Sequence, residues 1–262
     1  MALNDHTIAT LAEHLDNCRL GAQDTTKITD DHPDMDWGDA YAVQAEILRR
    51  QLARGERVVG LKCGLTSHAK MKQMGVSTPV FGFLSDRFAV ADGGEIATRE
   101  LIHPKVEPEI CFMTHRPLRG PGCHIGHVLA ATDFVLPGIE VIDSRYRDFK
   151  FDLKSVIADN TSAARFAVGG KAVSPHALDL RTLGVVLEKN GQAVAFGAGA
   201  AILGHPAAAV AMLANHLGQR GEEIPAGTLI FAGAATEAIA VAAGDHVCLR
   251  VQHLGSVSLR FV

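Results

Sequence analysis

The first fifty residues place apolar and polar positions at helical spacing. Two series recur at intervals of three and four residues: Ile8, Leu11, Ala12 and Leu15, then Trp37, Ala40, Tyr41, Gln44, Ile47, Leu48 and Leu52. Such spacing gives each helix one apolar stripe, so we predict two amphipathic helices. The polar run 30–34 between them is predicted to be a loop, and Gly55 is predicted to end the second helix.

From residue 57 the pattern changes to short apolar runs separated by glycines and turn residues. These runs predict strands at 58–63, 80–84, 95–101, 105–113, 138–143, 185–189, 192–196, 228–231, 247–251 and 257–262. Asn190-Gly191 lies between two of them and is a strong signal for a two-residue hairpin. Further helices are predicted at 67–74, 126–134 and 206–217.

The order of these elements bears on the fold class. Helices and strands do not alternate regularly, so a doubly wound parallel sheet is disfavoured. We predict a mixed, β-rich α+β fold, with an N-terminal helical section at 1–56 and a β-rich domain at 57–262 that carries the functional site. The two parts are expected to form one continuous structural unit.

Composition and charge exclude several classes of protein. The chain has 262 residues, of which 47% are apolar, and this is ample for a buried core. Its formal charge of −4 comes from interleaved acids and bases, without the basic stripe that a nucleic acid requires. The apolar run at 193–214 is interrupted by glycines and by Pro206, which argues against a membrane span. We therefore expect neither a nucleic-acid partner nor a membrane.

The N-terminus and the cysteines indicate the cellular compartment. Residues 1–6 lack the basic segment and apolar core of a signal peptide, so we expect a cytoplasmic protein. The five cysteines are odd in number and are never spaced as Cys-x-x-Cys, which disfavours a disulfide framework and a zinc site. Reduced, mostly buried thiols are the simpler interpretation.

Two short motifs carry little chemistry. Gly197-Ala-Gly199 lacks the G-x-G-x-x-G spacing of a dinucleotide-binding loop. His124 and His127 could share a helical face, but no third ligand is spaced nearby. No G-x-S-x-G nucleophile elbow is present either. Neither nucleotide binding nor covalent catalysis is predicted.

The segment 105–113 is an unusual strand because it contains two acids and a proline. Side chains on a strand alternate between its faces, so Glu107 and Glu109 share one face with Lys105, and their Cα atoms are about 7 Å apart. Like charges resist burial on one face unless a cation lies between them. We therefore predict a metal ion between Glu107 and Glu109, with Pro108 marking an edge or a bulge.

Glu140 is a third acid in an apolar, strand-like run and is the candidate for a third ligand. Each glutamate taken alone is more often a solvated residue at a sheet edge, but three of them in such settings favour one site. Ligand sets made only of oxygen select a hard divalent ion, Mg²⁺ or Mn²⁺, over zinc.

Five segments carry a resemblance to a known family. They are GLKCGLT at 60–66, PKVEPEI at 104–110, IEVIDSR at 139–145, ADNTS at 158–162 and GAGA at 197–200. In this order they resemble the hydratase/decarboxylase family of aromatic meta-cleavage pathways, within the fumarylacetoacetate hydrolase superfamily, over nearly the whole chain. The resemblance implies a mixed β-sheet sandwich or roll of the fumarylacetoacetate hydrolase C-terminal type. One departure is GAATE at 233–237, where many relatives are expected to have a Gly-Gly-Ile/Leu-Thr type sequence.

The resemblance also implies roles for four residues. The three metal-binding glutamates of the family fall on Glu107, Glu109 and Glu140, and its catalytic lysine falls on Lys62. Taken alone, Lys62 has the pattern of an ordinary lysine at a strand edge. Its apolar and glycine neighbours favour burial, which would lower its pKa. The implied cofactor is Mg²⁺ or Mn²⁺, without an organic cofactor.

The activity implied by the resemblance is that of a metal-dependent carboxy-lyase. A 2-oxo acid can chelate a metal through its C1 carboxylate and C2 carbonyl oxygen, which makes the carbonyl an electron acceptor. In 2-oxohex-3-enedioate the far carboxylate belongs to a vinylogous β-keto acid, so loss of CO₂ gives 2-hydroxypenta-2,4-dienoate.

Three alternatives to this activity stay open. The sister reaction is hydration of 2-oxopent-4-enoate. An acylpyruvate hydrolase would need a His-Glu pair in the N-terminal section, and we identify none in the sequence. A non-catalytic subunit is the last alternative, and Lys62 beside three acids argues against it.

The far carboxylate of a small 2-oxo dicarboxylic acid needs a binding residue. Ser162 is the first candidate because it ends a polar cluster bounded by apolar residues. Arg165 and Arg145 are weaker candidates, since arginines in surface salt bridges are commoner than substrate clamps. The resemblance further implies a homo-oligomer that associates with the partner vinylpyruvate hydratase, which would consume the unstable dienol.

Overall fold

The structure is a computed structural model that describes residues 3–67, 71–72 and 78–262. Its helices are α1 (Asp5–Gly21), α2 (Ile28–Asp31), α3 (Trp37–Ala53), α4 (Ile125–Ala131), α5 (Leu153–Ala158) and α6 (Pro206–Gly218). Its strands are β1 (Val58–Gly64), β2 (Val80–Ser85), β3 (Glu95–Ile96), β4 (Lys105–Thr114), β5 (Leu118–Arg119), β6 (Thr132–Ile142), β7 (Ala163–Val168), β8 (Gly184–Lys189), β9 (Gln192–Ala198), β10 (Glu223–Ile224), β11 (Leu229–Ala234), β12 (Ile239–Ala240), β13 (His246–Val251) and β14 (Gly255–Phe261). The helix predicted at 67–74 lies mostly outside the described residues, although Met71 and Lys72 are helical.

Helices α1 and α3 confirm the two amphipathic series. The Asn4 side chain accepts a hydrogen bond from the Thr7 N–H at the start of α1, and Asp36 and Asp39 form a reciprocal capping box at the start of α3. Buried residues of both helices, among them Leu15 and Ile47, belong to a cluster that also contains Val80, Phe83, Tyr146 and Ile157 from the β-rich part. The N-terminal helices therefore pack directly against the β-rich part. Trp37 and Leu52, the first and last members of the second series, are exposed. The first two residues of the polar run predicted as a loop, Asp30 and Asp31, form the end of the short helix α2.

A mixed sheet of seven strands positions the candidate site. Its order is β2-β1-β11-β4-β6-β7, and β12 pairs with the start of β4. Strands β1 and β11 are parallel, whereas β4 is antiparallel to both β11 and β6. The strand with the two acids, β4, is thus a central strand whose side chains are fixed by neighbours on both sides.

A second sheet of five strands has the order β3-β14-β13-β8-β9. Buried residues from both large sheets belong to one hydrophobic core, which confirms the predicted α+β fold with packed sheets. The hairpin predicted at Asn190-Gly191 joins β8 to β9, where Lys189 pairs with Gln192. Strands β5 and β10 form a separate small pair.

Two further predicted elements differ from the structure. The helix predicted at 126–134 ends at Ala131, because the residues from Thr132 onward pair with β4. The strand predicted at 95–101 is paired only at Glu95–Ile96, and Thr98–Glu100 forms a 3-10 turn. In both places the contacts with distant strands override the local pattern.

The stretch Gly199–Gly218 is the one described segment that is long and apolar enough to cross a membrane by length and composition. It contains α6, six of whose buried residues belong to the main core: Ala207, Ala209, Val210, Ala211, Leu213 and Ala214. Packing in the protein interior accounts for this apolar composition.

Candidate metal centre and active site

The register of β4 and β6 brings three carboxylates together. Glu107 is paired with Glu140, and Glu109 follows two residues along β4, opposite Gly138. One carboxylate oxygen from each glutamate lies within 4.8 Å of the other two. Glu109 and Glu140 are fully buried, whereas Glu107 is partly buried. The three acids form one cluster on one face of the sheet.

Pro108 lies between two of these acids. It does not mark a sheet edge, because β4 is a central strand, but the predicted bulge does occur beside it, in the pairing of β4 with β11. The register of β4 with β6 is unbroken through Pro108, which pairs with Ile139. The irregularity lies in the other neighbour, β11, whose register with β4 shifts between Phe231 and Ala234. At the shift, the Ala235 N–H donates to the Pro108 carbonyl oxygen at 2.9 Å. The neighbouring strand therefore accommodates a residue that has no N–H of its own.

Gly233 lies at this shift and orients Glu109. Its N–H donates to Glu109 Oε2 at 2.6 Å, and its φ is +106°. A Cβ atom at position 233 would lie 2.0 Å from Thr66 Oγ1, so the close approach requires glycine. The segment 233–237, which departs from the expected family pattern, keeps the glycine that holds this carboxylate.

Lys62 on β1 is buried against the carboxylates, with 2% of its side chain exposed. Its Nζ lies 2.8 Å from Glu140 Oε1 and donates to the Thr161 carbonyl oxygen at 3.1 Å. Burial is the largest single effect on the Lys62 pKa and lowers it, but Glu140, Glu107 and Glu109 together raise the pKa above its usual value. The expectation of a lowered pKa is wrong because it left out the three acids. Without a metal ion, the three acids therefore favour the ammonium form of Lys62.

The carboxylates disfavour one another's charged forms. Burial raises the pKa of Glu109 well above its usual value, and Glu140 and Glu107 raise it further. Burial also raises the pKa of Glu140, although the Lys62 ammonium opposes this effect. Within the described part of the chain, no hydrogen-bond donor reaches Glu109 Oε1 or Glu140 Oε2. Buried oxygen atoms without donors, in a ligand set made only of oxygen, fit a hard divalent cation.

A cavity of about 280 Å³ reaches Lys62 and Glu107. Its polar lining consists of Lys62, Lys105, Glu107, Thr161 and Ser162, and its apolar lining includes Val80, Ile142, Phe149, Phe151 and Val156. A second cavity of about 360 Å³ also reaches Glu107 and is lined by residues 63–67 and 234–237. The cavity of about 680 Å³ beside Tyr41 and His216 is larger but contains none of the predicted site residues. The cavity with both lysine and carboxylate is the candidate substrate site.

Ser162 ends a segment with an unusual backbone. Asn160, Thr161 and Ser162 have φ values of +47°, +50° and +62°, which residues other than glycine rarely adopt. The Asn160 side chain accepts from the Phe83 N–H at 2.9 Å and donates to the Phe83 carbonyl oxygen at 3.0 Å. The hydroxyl oxygens of Thr161 and Ser162 are buried and have no hydrogen-bond partner among the described residues. Backbone strain and unpartnered polar atoms in a cavity lining are typical of a binding site.

The structure does not bring Arg145 and Arg165 to this cavity. Arg145 is buried in an ion pair with Asp159 and also donates to the Asp159 carbonyl oxygen at 2.6 Å. Arg165 pairs with Glu100 at 3.0 Å. Both guanidinium groups are already bound within the fold, so the two weaker candidates for substrate contact are corrected to structural roles.

Lys105, Thr161 and Phe149 are among the cavity-lining residues that sequence reasoning missed. Lys105 shares a strand face with Glu107, so the alternation that grouped the acids could have identified it. Thr161 is adjacent to the predicted Ser162 in the segment ADNTS. Phe149 comes from the loop between β6 and α5 and has a φ of +56°. No local pattern predicts where such a loop places its ring.

Comparisons with known proteins identify the family. The model of the fumarylacetoacetate (FAA) hydrolase C-terminal family matches residues 57–262. The chain is 62% identical over 255 residues, and 97% of each chain, to a 4-oxalocrotonate decarboxylase from Pseudomonas sp. (strain CF600). It is 39% identical over 256 residues, and 97% of each chain, to a 2-hydroxyhexa-2,4-dienoate hydratase from Comamonas testosteroni.

A solved structure gives the same result for the fold. It is a 4-oxalocrotonate decarboxylase from Pseudomonas putida G7, complexed with magnesium and adipate, with a TM-score of 0.98 and 58% identity over 99% of both chains. The family model covers most of the chain, and these relatives cover nearly all of it. The chain therefore belongs to the fumarylacetoacetate hydrolase family.

Proposed function

We propose that the protein is a Mg²⁺-dependent carboxy-lyase that converts 2-oxohex-3-enedioate (4-oxalocrotonate) into 2-hydroxypenta-2,4-dienoate and CO₂. The observation that carries this proposal is the cluster of Glu107, Glu109 and Glu140 within 4.8 Å, with Lys62 against Glu140, beside a cavity. The high identity to a decarboxylase over the full length supports the same reaction.

The three glutamates would hold the divalent ion. When bound, such an ion supplies Lewis-acid polarisation of the C2 carbonyl of a 2-oxo acid. Magnesium and adipate in the relative from Pseudomonas putida G7 support Mg²⁺ and a six-carbon dicarboxylic acid for this chain. Mn²⁺ has the same preference for oxygen ligands and is the alternative ion. The proposed chemistry needs no organic cofactor.

Cavity residues would bind and orient the substrate. The Thr161 and Ser162 hydroxyl groups have unused hydrogen-bonding capacity and can donate to a substrate carboxylate. Phe149 and Phe151 contribute an apolar wall that limits access of water. A carboxylate transferred from water to this setting loses hydration, which favours its departure as neutral CO₂.

The reaction balances without a further reactant. The C5–C6 bond breaks and releases CO₂, and its electron pair forms the C4–C5 double bond. The C3–C4 pair moves to C2–C3, and the C2 oxygen takes up the negative charge. Lys62, as an ammonium ion at the carboxylate cluster, can donate a proton to that oxygen. The product is then 2-hydroxypenta-2,4-dienoate.

Hydration of 2-oxopent-4-enoate is the second candidate function. It is favoured by relatives such as the Comamonas testosteroni hydratase, which shares nearly the full length. The identity of 39% to this hydratase, against 62% to a decarboxylase, supports decarboxylation as the main activity.

Two substrates supplied separately to the Mg²⁺-loaded protein test the choice. We expect CO₂ release from 2-oxohex-3-enedioate and no hydration of 2-hydroxypenta-2,4-dienoate. Hydration of the second compound without CO₂ release from the first would favour the hydratase activity over the decarboxylase activity. If neither compound reacts, both proposed activities are wrong.

The proposal extends to assembly and location. The family resemblance supports a cytoplasmic homo-oligomer that associates with the partner vinylpyruvate hydratase. Light scattering after size exclusion, with the chain alone and mixed with that hydratase, tests this assembly. A monomer in the first case, or separate elution in the second, contradicts the corresponding part of the proposal.

A further inference from the structure

We propose that Lys105 recognises the substrate carboxylate that departs as CO₂, and thereby selects a dicarboxylic over a monocarboxylic 2-oxo acid. This inference rests on the proposed function, because it concerns the same cavity. It is carried by one juxtaposition: an unpaired lysine in the cavity lining lies over an aromatic ring, on the same strand face as two of the three clustered glutamates.

Lys105 is the cavity cation without an anionic partner. The described lining of the cavity contains two cationic side chains, Lys62 and Lys105. The Lys62 ammonium is bound to Glu140 at 2.8 Å. The Lys105 ammonium has one side-chain interaction with the described residues, a contact with the ring of Phe149. An anion that enters the cavity therefore finds Lys105 available.

Phe149 positions the Lys105 side chain without neutralising it. Lys105 Nζ lies 4.1 Å from the centroid of the Phe149 ring, which is a cation–π distance. Asp148 and Phe149 have φ values of +57° and +56°, a rare conformation for a bulky residue. The same ring packs on His103, with 4.6 Å between the ring centroids. The strained turn thus places an aromatic face under the ammonium group, whose charge stays available to a carboxylate.

The sheet sets the distance between Lys105 and the glutamates. The His103 N–H donates to Asp143 Oδ1 at 2.7 Å, which fixes the entry into β4. Along β4, Lys105 and Glu107 share a face with their Cα atoms about 7 Å apart. A six-carbon diacid with its 2-oxo end at the glutamates can extend its other carboxylate along this face toward Lys105.

A contact with the departing carboxylate acts on binding more than on the chemical step. Negative charge leaves this carboxylate as CO₂ forms, so an ammonium there stabilises the bound substrate more than the transition state. Lys105 is therefore a specificity-determining residue. Replacing it with Met should raise KM and leave kcat unchanged or higher, whereas a proton donor such as Lys62 affects kcat.

Equilibrium binding to the Mg²⁺-loaded protein tests the assignment without turnover. We would measure by calorimetry the Kd of 2-oxohexanedioate and of 2-oxohexanoate, which differ only at the far carboxylate. The variants are Lys105→Met and Lys105→Arg, with Lys171→Met as a matched control, because Lys171 is exposed and lies outside the cavity lining. We expect wild type and Lys171→Met to prefer the dicarboxylate by about 10-fold or more. Lys105→Met should lose this preference, and Lys105→Arg should retain part of it.

Each outcome decides between the two proposals. A Lys105→Met protein that keeps the preference overturns the role of Lys105, whatever its rate of CO₂ release. A wild type without preference overturns that role together with the proposed substrate class. A wild type that prefers the dicarboxylate through Lys105 but releases no CO₂ overturns decarboxylation alone. Circular dichroism checks the fold of each variant, and Lys105→Gln replaces Lys105→Met if the latter does not fold.

Discussion

Glu107 on β4 lies directly opposite Glu140 on β6, so two carboxylates face each other across adjacent antiparallel strands. Like charges in that position are destabilising. Glu109 adds a third carboxylate, and the Lys62 ammonium offsets the charge of only one of the three acids. Such an arrangement is retained at a cost in stability, which a divalent ion in the cluster would offset. The following predictions test this relationship and the structure around it.

Glu109→Gln should stabilise the metal-free protein and remove its response to Mg²⁺. The raised Glu109 pKa means that this group's contribution to stability is complete below its ordinary pKa of 4.5 and is lost as pH rises through the folded-state value. The difference in Tm between Glu109→Gln and wild type, measured in chelator, should therefore be small at about pH 4 and grow toward neutral pH. Excess Mg²⁺ should raise the Tm of wild type but not of the variant.

The exposed Glu95→Gln serves as the control for this pair of measurements. An equal Mg²⁺ shift in Glu109→Gln and wild type would remove Glu109 from the ligand set.

Lys62→Met should separate metal binding from turnover. Lys62 contacts Glu140 through its ammonium but offers no carboxylate, so the variant should still bind Mg²⁺. Loss of a proton-transfer group should lower kcat by at least about 10²-fold. Calorimetric metal titration and CO₂ release, measured on the same preparation, give the two quantities. A near-normal kcat would contradict the role of Lys62, and Lys171→Met provides the control for loss of one positive charge.

Gly233→Ala should weaken metal binding through Glu109. The new Cβ atom would meet Thr66 Oγ1 at 2.0 Å and shift the N–H that holds Glu109 Oε2. Displacing a group that orients a ligand lowers metal affinity by about 10–100-fold. The steric clash should also lower the free energy of unfolding by about 1–3 kcal/mol.

Gly227→Ala is the matched control for backbone strain alone. Gly227 has a φ of +78°, but nothing lies within 4 Å of an added Cβ atom. This variant should lose about 1–2 kcal/mol of stability and keep its Mg²⁺ affinity. Equal metal affinities in the two variants would show that Gly233 does not orient the ligand.

The two tyrosines should titrate far above their ordinary range. Burial raises the pKa of Tyr41 to about 12 and that of Tyr146 well above its usual value. The contribution of Tyr41 to stability is complete below its ordinary pKa of 10 and is lost as pH rises through about 12, and that of Tyr146 is likewise lost only as pH rises through its raised pKa. Near-ultraviolet absorbance should show little phenolate at about pH 11 in the native protein, and normal titration near pH 10 in denaturant. Native titration near pH 10 would contradict the packing of α3 and the Tyr146 segment against the β-rich part.

Strand alternation was sufficient to predict that Glu107 and Glu109 share a face, because that relationship is local. The pairing of Glu107 with Glu140 depends on the register of β4 with β6, which are separated along the chain by β5 and α4, and alternation within one strand does not specify it. Residue 140 was predicted from its apolar setting and from the family resemblance. The same holds for Pro108. A proline fits in the central strand β4 because the register of β11 with β4 shifts beside it, and β11 lies more than a hundred residues further along the chain.

Charge balance was the other property that local sequence could not supply. Burial of Lys62 was predicted from its neighbours in the sequence. Whether its pKa is raised or lowered depends on three acids from β4 and β6. Arg145 is close in sequence to Glu140 and was a weaker candidate for substrate contact, yet its guanidinium is bound to Asp159 and lies outside the cavity lining. Conversely, Lys105 lies beside the acids in sequence and gains its significance from the ring of Phe149.

Metal titration with simultaneous measurement of CO₂ release tests the central claim most directly. Metal-depleted protein would receive Mn²⁺ in steps, with bound ion followed by electron paramagnetic resonance and CO₂ release followed from 2-oxohex-3-enedioate. The expected result is activity that rises with bound ion until one ion per chain is present, and a Glu140→Gln variant that shows neither binding nor release. Full CO₂ release by the metal-depleted protein, or by Glu140→Gln, would contradict a metal-dependent decarboxylase built on these three glutamates.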